Sequence, residues 1–337
     1  MILNPPLQAV KMKALVTGAT GFIGSHLTEE LVRRGYEVSC LVRKTSQSVE
    51  LQNIGVRLIL GDCRDKASLE KAVEGMDYVF HLAGVITAQT WEDYYLANTV
   101  GTRNLLEALA ERNPTLKKFV FVSSISAAGP SEKGRGLRED DPARPISNYG
   151  RSKLLAEEAV LGHKEKLPAV ILRPPNVLGP RQRELFESIK LIKRRILPLM
   201  GTGEPQTSLC YVGDLVDALI LVAESDEARG KTYFIAHPGP CAWAEITGAV
   251  AEALGIRRFF LKVPFSLQML LASISETSSR LTHKKPFLTR ENVIAAKRYY
   301  WIYDASKIER ELGFVPQVAL KEAITKTVAW YKERGAI

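Results

Sequence analysis

Tyr149 and Lys153 stand four residues apart in Tyr149-Gly150-Arg151-Ser152-Lys153, at the start of an amphipathic pattern that continues through Leu154, Leu155 and Val160. On a helix that spacing puts both side chains on one face. A phenol with an ordinary pKa of about 10 is a poor base at neutral pH, and a neighbouring ammonium favours the phenolate and brings it nearer to working range. Ser124, which closes Val122-Ser123-Ser124, is placed to donate to the same substrate oxygen. These residue types suit proton transfer at a carbonyl or hydroxyl oxygen. The plain alternatives are a buried helical tyrosine and a strand-end cap.

Groups of this kind need a rigid edge to stand on. Lys13 to Val16, Glu37 to Val42, Val56 to Leu60, Tyr78 to His81 and Lys118 to Val122 read as buried strands. Helical patterns lie between them, with Ile23, Leu27 and Leu31 on one face and Leu105, Leu106 and Leu109 on another. This alternation implies an α/β fold, a doubly wound parallel sheet of Rossmann type covered on both sides. After Pro174-Pro175 the order breaks into mixed helices, short strands around Tyr211 and Tyr233, and proline-bearing loops. Residues 1–178 are therefore expected to form a dinucleotide-binding domain to which 205–240 returns, and 179–337 a smaller mixed substrate lobe.

The first strand runs into Thr17-Gly18-Ala19-Thr20-Gly21-Phe22-Ile23-Gly24 and then a helix starting near Phe22. Gly18 suits a tight turn, Gly21 a close approach to a pyrophosphate, and Gly24 close packing of helix on strand. The second strand ends Leu41-Val42-Arg43-Lys44, where an NAD-preferring chain would carry Asp or Glu. A guanidinium there would clamp a 2′-phosphate, so NADP(H) is preferred, with NAD(H) left open. A solvent-facing basic pair is the other reading. Asp62, in Gly61-Asp62-Cys63, would accept a bond from the adenine amine or serve as a turn residue.

Composition narrows the classes. The chain has 337 residues, 46% hydrophobic and 25% charged, which excludes disordered and fibrous proteins. The longest uncharged apolar stretch, near Val263 to Ser275, is shorter than the ~18 to 20 residues of a spanning helix. Met1 to Lys13 lacks the pattern of a secretory signal. Cys40, Cys63, Cys210 and Cys241 are scattered, which suits a reducing cytoplasm and suggests no metal site. The net charge of +9 is concentrated in Arg181 to Arg195 and Arg280 to Arg310, read as solvated helix faces or as phosphate attraction near a cofactor. No nucleic-acid motif accompanies them. The mixed apolar and basic run from Arg257 to Arg280 leaves peripheral contact with a bilayer open.

Beyond the glycine loop and Tyr-x-x-x-Lys, the chain carries His81-Leu82-Ala83-Gly84, Asn98-x-x-Gly101-Thr102-x-Asn104, Arg173-Pro174-Pro175-Asn176-Val177, Tyr211-Val212-x-Asp214-Leu215 and Asp304-x-Ser306-Lys307. With these it resembles, over nearly its whole length, the extended short-chain dehydrogenase/reductases of the NAD(P)-dependent epimerase/dehydratase family. The resemblance implies Tyr149 as acid/base, Lys153 on the nicotinamide ribose, Ser124 on the substrate oxygen and Asn98 in a proton relay. It also implies a cofactor lined by Gly18, Gly21, Phe22, Ile23, Gly24, Arg43, Asp62, Cys63, Leu82, Ala83, Gly84, Pro174 and Val177, and substrate contacts at Ser126 and Asn176. His81 reads as a packed histidine rather than a catalytic one. A homodimer through the helices of Asn98 to Leu109 and Tyr149 to Val160 is expected.

Three departures from the family pattern bear on the substrate. Ile125 and Ser126 follow Ser124, where sugar dehydratases carry Asp-Glu. Gln206-Thr207-Ser208-Leu209 lacks the arginine that nucleotide-sugar enzymes use on a diphosphate, and Val293 to Arg298 replaces a second arginine motif, although Arg290 or Arg298 would substitute after a shift. The second lobe is rich in bulky apolar residues: Phe259-Phe260, Pro264-Phe265, Met269-Leu270-Leu271 and Tyr299-Tyr300-Trp301. These are either lobe core or the wall of a pocket for an uncharged ring-bodied substrate. The pattern is similar to the hydroxysteroid dehydrogenase and dihydroflavonol reductase branch, and implies hydride transfer on a sterol, flavonoid or terpenoid-like small molecule. The alternatives are a nucleotide-sugar 4-epimerase and a catalytically silent NADP(H)-binding regulator.

Overall fold

A computed structural model describes residues 11–47, 49–194, 205–256, 263–282, 288–290, 293–294 and 299–337. The expectations placed on Phe259, Phe260 and Arg298 lie outside the described residues.

The chain opens with β1 (Lys13–Thr17), α1 (Phe22–Arg33), β2 (Glu37–Val42), β3 (Arg57–Leu60), α2 (Lys66–Val73) and β4 (Tyr78–His81). A short turn, α3 (Trp91–Tyr94), leads through π-helical Tyr95–Val100 into α4 (Gly101–Arg112). Next come β5 (Lys118–Val122), a second short turn α5 (Ile125–Ala128), α6 (Asn148–Gly162) and β6 (Ala169–Arg173). The chain then leaves through β7 (Asn176–Leu178) and α7 (Arg183–Lys193), passes β8 (Gln206–Thr207) and β9 (Leu209–Tyr211), and continues as α8 (Val212–Glu224) and β10 (Thr232–Phe234). The remainder is β11 (Cys241–Ala242), α9 (Trp243–Ala253), α10 (Phe265–Thr282) and two further helices, Ser306–Leu312 and Leu320–Glu333.

Seven strands form one parallel sheet in the order β10-β6-β5-β4-β1-β2-β3. The order reverses between β1 and β4, and the crevice outside the carboxyl ends of these two strands is where such sheets bind ligands. Alternate residues of each strand feed two apolar layers. Leu27 and Leu31 of α1 pack with Leu215 and Leu219 of α8 on one face. Leu105, Leu106 and Leu109 of α4 pack with Ala156 and Val160 of α6 on the other. A third cluster joins Leu185 and Ile189 of α7, Ile246 and Val250 of α9, and Ile324 and Val328. Burying those apolar faces leaves the cations of α7 in solvent, as expected for a solvated helix face; Lys190 there pairs with Glu187.

One strand departs from expectation. The run Val56 to Leu60 reads as buried, but β3 covers Arg57–Leu60 and leaves Leu58 48% and Leu60 63% exposed. It is the last strand of the sheet, and its apolar composition alone does not distinguish an edge from a centre.

Candidate active site

The loop from β1 to α1 is held by contacts that only glycine allows. Gly18 has φ +76, and a Cβ there would lie 2.7 Å from the backbone of Leu82 and Ala83; one on Gly24 would lie 2.2 Å from Gly18 O. The β1 and β4 loops are thus pressed together, with Leu82 N donating to Thr17 O at 3.1 Å. A Cβ on Gly21 would meet only Gly18 O within contact range, so this side of the loop is open. Gly21 caps α1 without a side-chain bond, and the first turn contains no acidic residue. The N–H groups of Phe22 and Ile23 are left to an anion.

Arg43 follows β2 and is exposed, and its guanidinium joins no ion pair among the described residues. Asp62, the candidate for an adenine amine, accepts from Arg64, whose NH2 donates to Oδ2 at 2.7 Å and whose Nε donates to Oδ1 at 3.1 Å. Those bonds hold the Asp62 carboxyl below its ordinary range, with Arg43 adding to the effect. Cys63 is buried, its thiol pushed up to about 12 by desolvation, and its carbonyl accepts from Asn104.

Ser124 lies just past β5 and caps α5, accepting from Ser126 N at 3.1 Å. Tyr149 and Lys153 project from the first turns of α6, which Ser147 caps by accepting from Gly150 N at 3.0 Å. The sheet edge therefore brings all three together. The Ser124 hydroxyl lies beside the Tyr149 phenol and favours its ionised form, but burial outweighs this and raises the phenol to about 12. Lys153 behaves differently from expectation. Its Nζ donates to Val122 O at 2.7 Å, lies 4.2 Å from the Phe121 ring centre, and is lowered to about 7 by desolvation. The ammonium is not among the groups that shift Tyr149. At neutral pH this Tyr149 is a proton donor.

A directed chain of hydrogen bonds connects the glycine loop to this helix. Ala83 N donates to Thr17 Oγ1 at 3.2 Å, and Thr17 Oγ1 lies 2.7 Å from His81 Nδ1. His81 Nε2 lies 2.9 Å from Thr102 Oγ1, whose own hydrogen goes to Asn98 O at 2.6 Å. The Thr102 bond requires Nε2 to carry the proton and Nδ1 to accept, which assigns the tautomer. Asn98 Nδ2 then donates to Ser152 Oγ at 2.9 Å, and Ser152 Oγ to Tyr149 O at 2.7 Å. Asn98 also exchanges two bonds with the Val85 backbone. Its amide is thus fully engaged between loop and helix, and it reaches the Tyr149 backbone through Ser152. His81 is wholly buried and lowered to about 3 by desolvation, so it stays neutral in this chain, as a packed histidine should.

Two other neighbours were not singled out from the sequence. Tyr94 places its ring 6.4 Å from that of Tyr149. Glu157, one turn beyond Lys153, makes a bidentate pair with Arg173 of β6 at 2.9 and 2.6 Å, both residues being buried. Tyr94 is four residues before Asn98 and Glu157 four after Lys153, so helical spacing could have flagged both.

On the substrate side, Ser126 is partly buried beside Ser124, and Asn176 donates to Thr207 Oγ1 at 3.1 Å. Gln206 O and Ser208 N are bonded to the backbone of Trp301, and Ser208 Oγ accepts from Tyr303 N. Thr207 and Ser208 are buried and uncharged where a diphosphate would need a cation. Arg290, which could have substituted, is tied to Glu276 at 3.0 Å. Pro174 O accepts from Ile125 N, and Val177 is buried in the core. Among the described residues no cluster of His, Cys, Asp or Glu could hold a metal ion, and no helix is long and apolar enough to cross a membrane.

The open glycine cradle fits a dinucleotide pyrophosphate, and the buried Ser123 hydroxyl at the same strand edge has no partner among the described residues. With Ser124, Tyr149 and Lys153 beside it, the fold and site define a nicotinamide-dinucleotide oxidoreductase. Comparison with known proteins agrees: residues 14–236 match the NAD dependent epimerase/dehydratase family, and the chain belongs to it, as an extended short-chain dehydrogenase/reductase. It is 31% identical to a 2-alkyl-3-oxoalkanoate reductase of Stenotrophomonas maltophilia, over 94% of this chain and 99% of the relative. It is 28% identical to the decarboxylating sterol-4-alpha-carboxylate 3-dehydrogenase of Mus musculus, over 94% and 90%. The UDP-glucose 4-epimerase of Thermotoga maritima, solved with UDP-glucose, superposes with a TM-score of 0.79 at 25% identity, over 96% of this chain and 99% of that one.

Proposed function

We propose that the protein is an NADP(H)-dependent reductase/dehydrogenase that moves hydride between the nicotinamide and a carbonyl or secondary alcohol of a bulky, apolar-bodied substrate such as a sterol, flavonoid or terpenoid. The observation that carries this reading is the Tyr149 phenol, held protonated by burial and set beside Ser124 at the sheet edge next to the glycine cradle. When bound, the coenzyme supplies hydride; the chain supplies orientation and protons. Ser124 bonds the substrate oxygen, Tyr149 delivers a proton to it as it gains negative charge, and Lys153 stands ready for ribose hydroxyls. The glycine loop and α1 N-terminus take the pyrophosphate, while Leu82, Ala83, Gly84, Pro174 and Val177 line the cofactor and Ser126 and Asn176 meet the substrate.

The preference for NADP(H) rests on the exposed guanidinium of Arg43 at the end of β2, where a carboxylate would repel a 2′-phosphate. The substrate class is supported by the uncharged Gln206 to Leu209 segment and by the similarity to the 2-alkyl-3-oxoalkanoate reductase and the sterol dehydrogenase. The likeness to a UDP-glucose 4-epimerase favours a second reading, in which coenzyme stays bound and is not consumed. NADPH oxidation by purified protein with a ketone panel, set against epimer formation from UDP-sugars, separates the two. Ketone-dependent oxidation is expected; epimers without it reverse the assignment. The same reading places the chain in the cytoplasm, consistent with its free cysteines, and pairs it as a homodimer through α4 and α6, which light scattering tests.

A further inference from the structure

The helix α10 is turned inside out. Its buried side carries Gln268, Ala272 and Ser279. On the same side Ser275 Oγ accepts from Leu288 N at 3.1 Å, and Glu276 accepts from both the backbone and the guanidinium of Arg290. The outward side carries Leu267, Leu270, Leu271 and Ile274, each between 44% and 56% exposed. These four fall at positions i, i+3, i+4 and i+7, one continuous stripe on the helix. A helix seated only on its own protein presents the opposite pattern, so the stripe needs an apolar partner.

Charge identifies the partner. From Arg257 to Arg298 there are nine Lys and Arg against two Glu, which accounts for most of the chain's net charge of +9. Lys262 stands three residues before the helix, and Lys284 and Lys285 follow it closely. Two copies meeting stripe to stripe would bring like charges together, which disfavours a second copy as occupant. An anionic lipid surface satisfies both features at once. We propose that α10 docks the protein on such a bilayer, with the leucines and Ile274 in the headgroup and acyl boundary and the basic composition of the surrounding sequence favouring anionic lipid. This inference does not use the catalytic groups, so its failure leaves the reductase reading standing.

The test is sedimentation of the full chain with vesicles of phosphatidylcholine alone and of phosphatidylcholine with phosphatidylglycerol, at low and high salt. Binding to the anionic vesicles that weakens with salt is expected, as is a loss of about tenfold or more in Leu270→Glu/Ile274→Glu. Leu161→Glu, an exposed leucine of α6, should bind like the wild type. If the double variant does not fold by circular dichroism, Leu270→Ser/Ile274→Ser takes its place. The proposal is overturned by a wild type that binds neither vesicle, by undiminished binding of the folded double variant, or by an oligomer that this variant dissolves without any vesicle binding.

Discussion

Burial holds the Tyr149 phenol at about 12 and the Lys153 amine at about 7, so in this structure the acid is charged with its proton and the amine is close to losing its own. Tyr149→Phe should therefore reduce carbonyl reduction by about 10²- to 10⁴-fold, with coenzyme affinity little changed, measured by turnover and by fluorescence titration of NADPH. Equal loss of binding and turnover would mean that the hydroxyl builds the pocket instead. Lys153 also bears on stability. Between about 7 and its ordinary 10.5 the unfolded chain holds a proton that the folded chain releases, so stability rises with pH in this window and is lowest below it. Lys153→Met removes that term. Its melting temperature relative to wild type should be highest below pH 7 and fall steadily toward pH 10. A difference that does not change with pH would contradict a desolvated lysine.

At the scale of elements, α6 is fixed to the sheet by Glu157 and Arg173 and to the glycine loop by the Thr17, His81, Thr102, Asn98 and Ser152 chain. Truncating one partner of a buried ion pair leaves the other uncompensated. Glu157→Ala should cost about 3 to 5 kcal/mol in denaturant unfolding, and a double variant that also replaces Arg173 with Met should recover part of it. No recovery would mean that packing, not charge, holds the pair. His81 gives these elements an acid limit. Its folded pKa of about 3 lies below the unfolded value, so between the two the unfolded state binds more protons and stability falls as pH drops from about 6.5 toward 3. The melting temperature of His81→Gln should fall less steeply over that window than that of the wild type.

For the molecule as a whole, the local patterns were readable and the long-range ones were not. Short, continuous runs rich in β-branched and other apolar residues located β1, β2, β4 and β5 almost to the residue, and Gly18 to Gly24 located the turn into α1. Tyr149 and Lys153 were readable because four residues make one helical turn. The Thr17 to His81 bond spans 64 residues and the Arg173 to Glu157 pair crosses from strand to helix, so no local spacing announces either. Burial is equally invisible in spacing, which is why Lys153 was expected to acidify Tyr149 and why β3 was read as covered.

Coenzyme choice also belongs at the scale of the whole molecule, because it depends on where β2 ends against β3. Arg43→Asp should weaken NADPH far more than NADH in paired titrations; equal weakening would remove the basis for the preference. The central claim is that hydride passes between a nicotinamide and a substrate carbon while Tyr149 handles the proton. It is tested most directly by supplying NADPH deuterated at the transferable C4 position with a ketone that is turned over and analysing the product by mass spectrometry. One deuterium on the carbinol carbon with wild type, and negligible product with Tyr149→Phe, is the predicted result. Product alcohol without deuterium, or undiminished deuterated product from the variant, would contradict it.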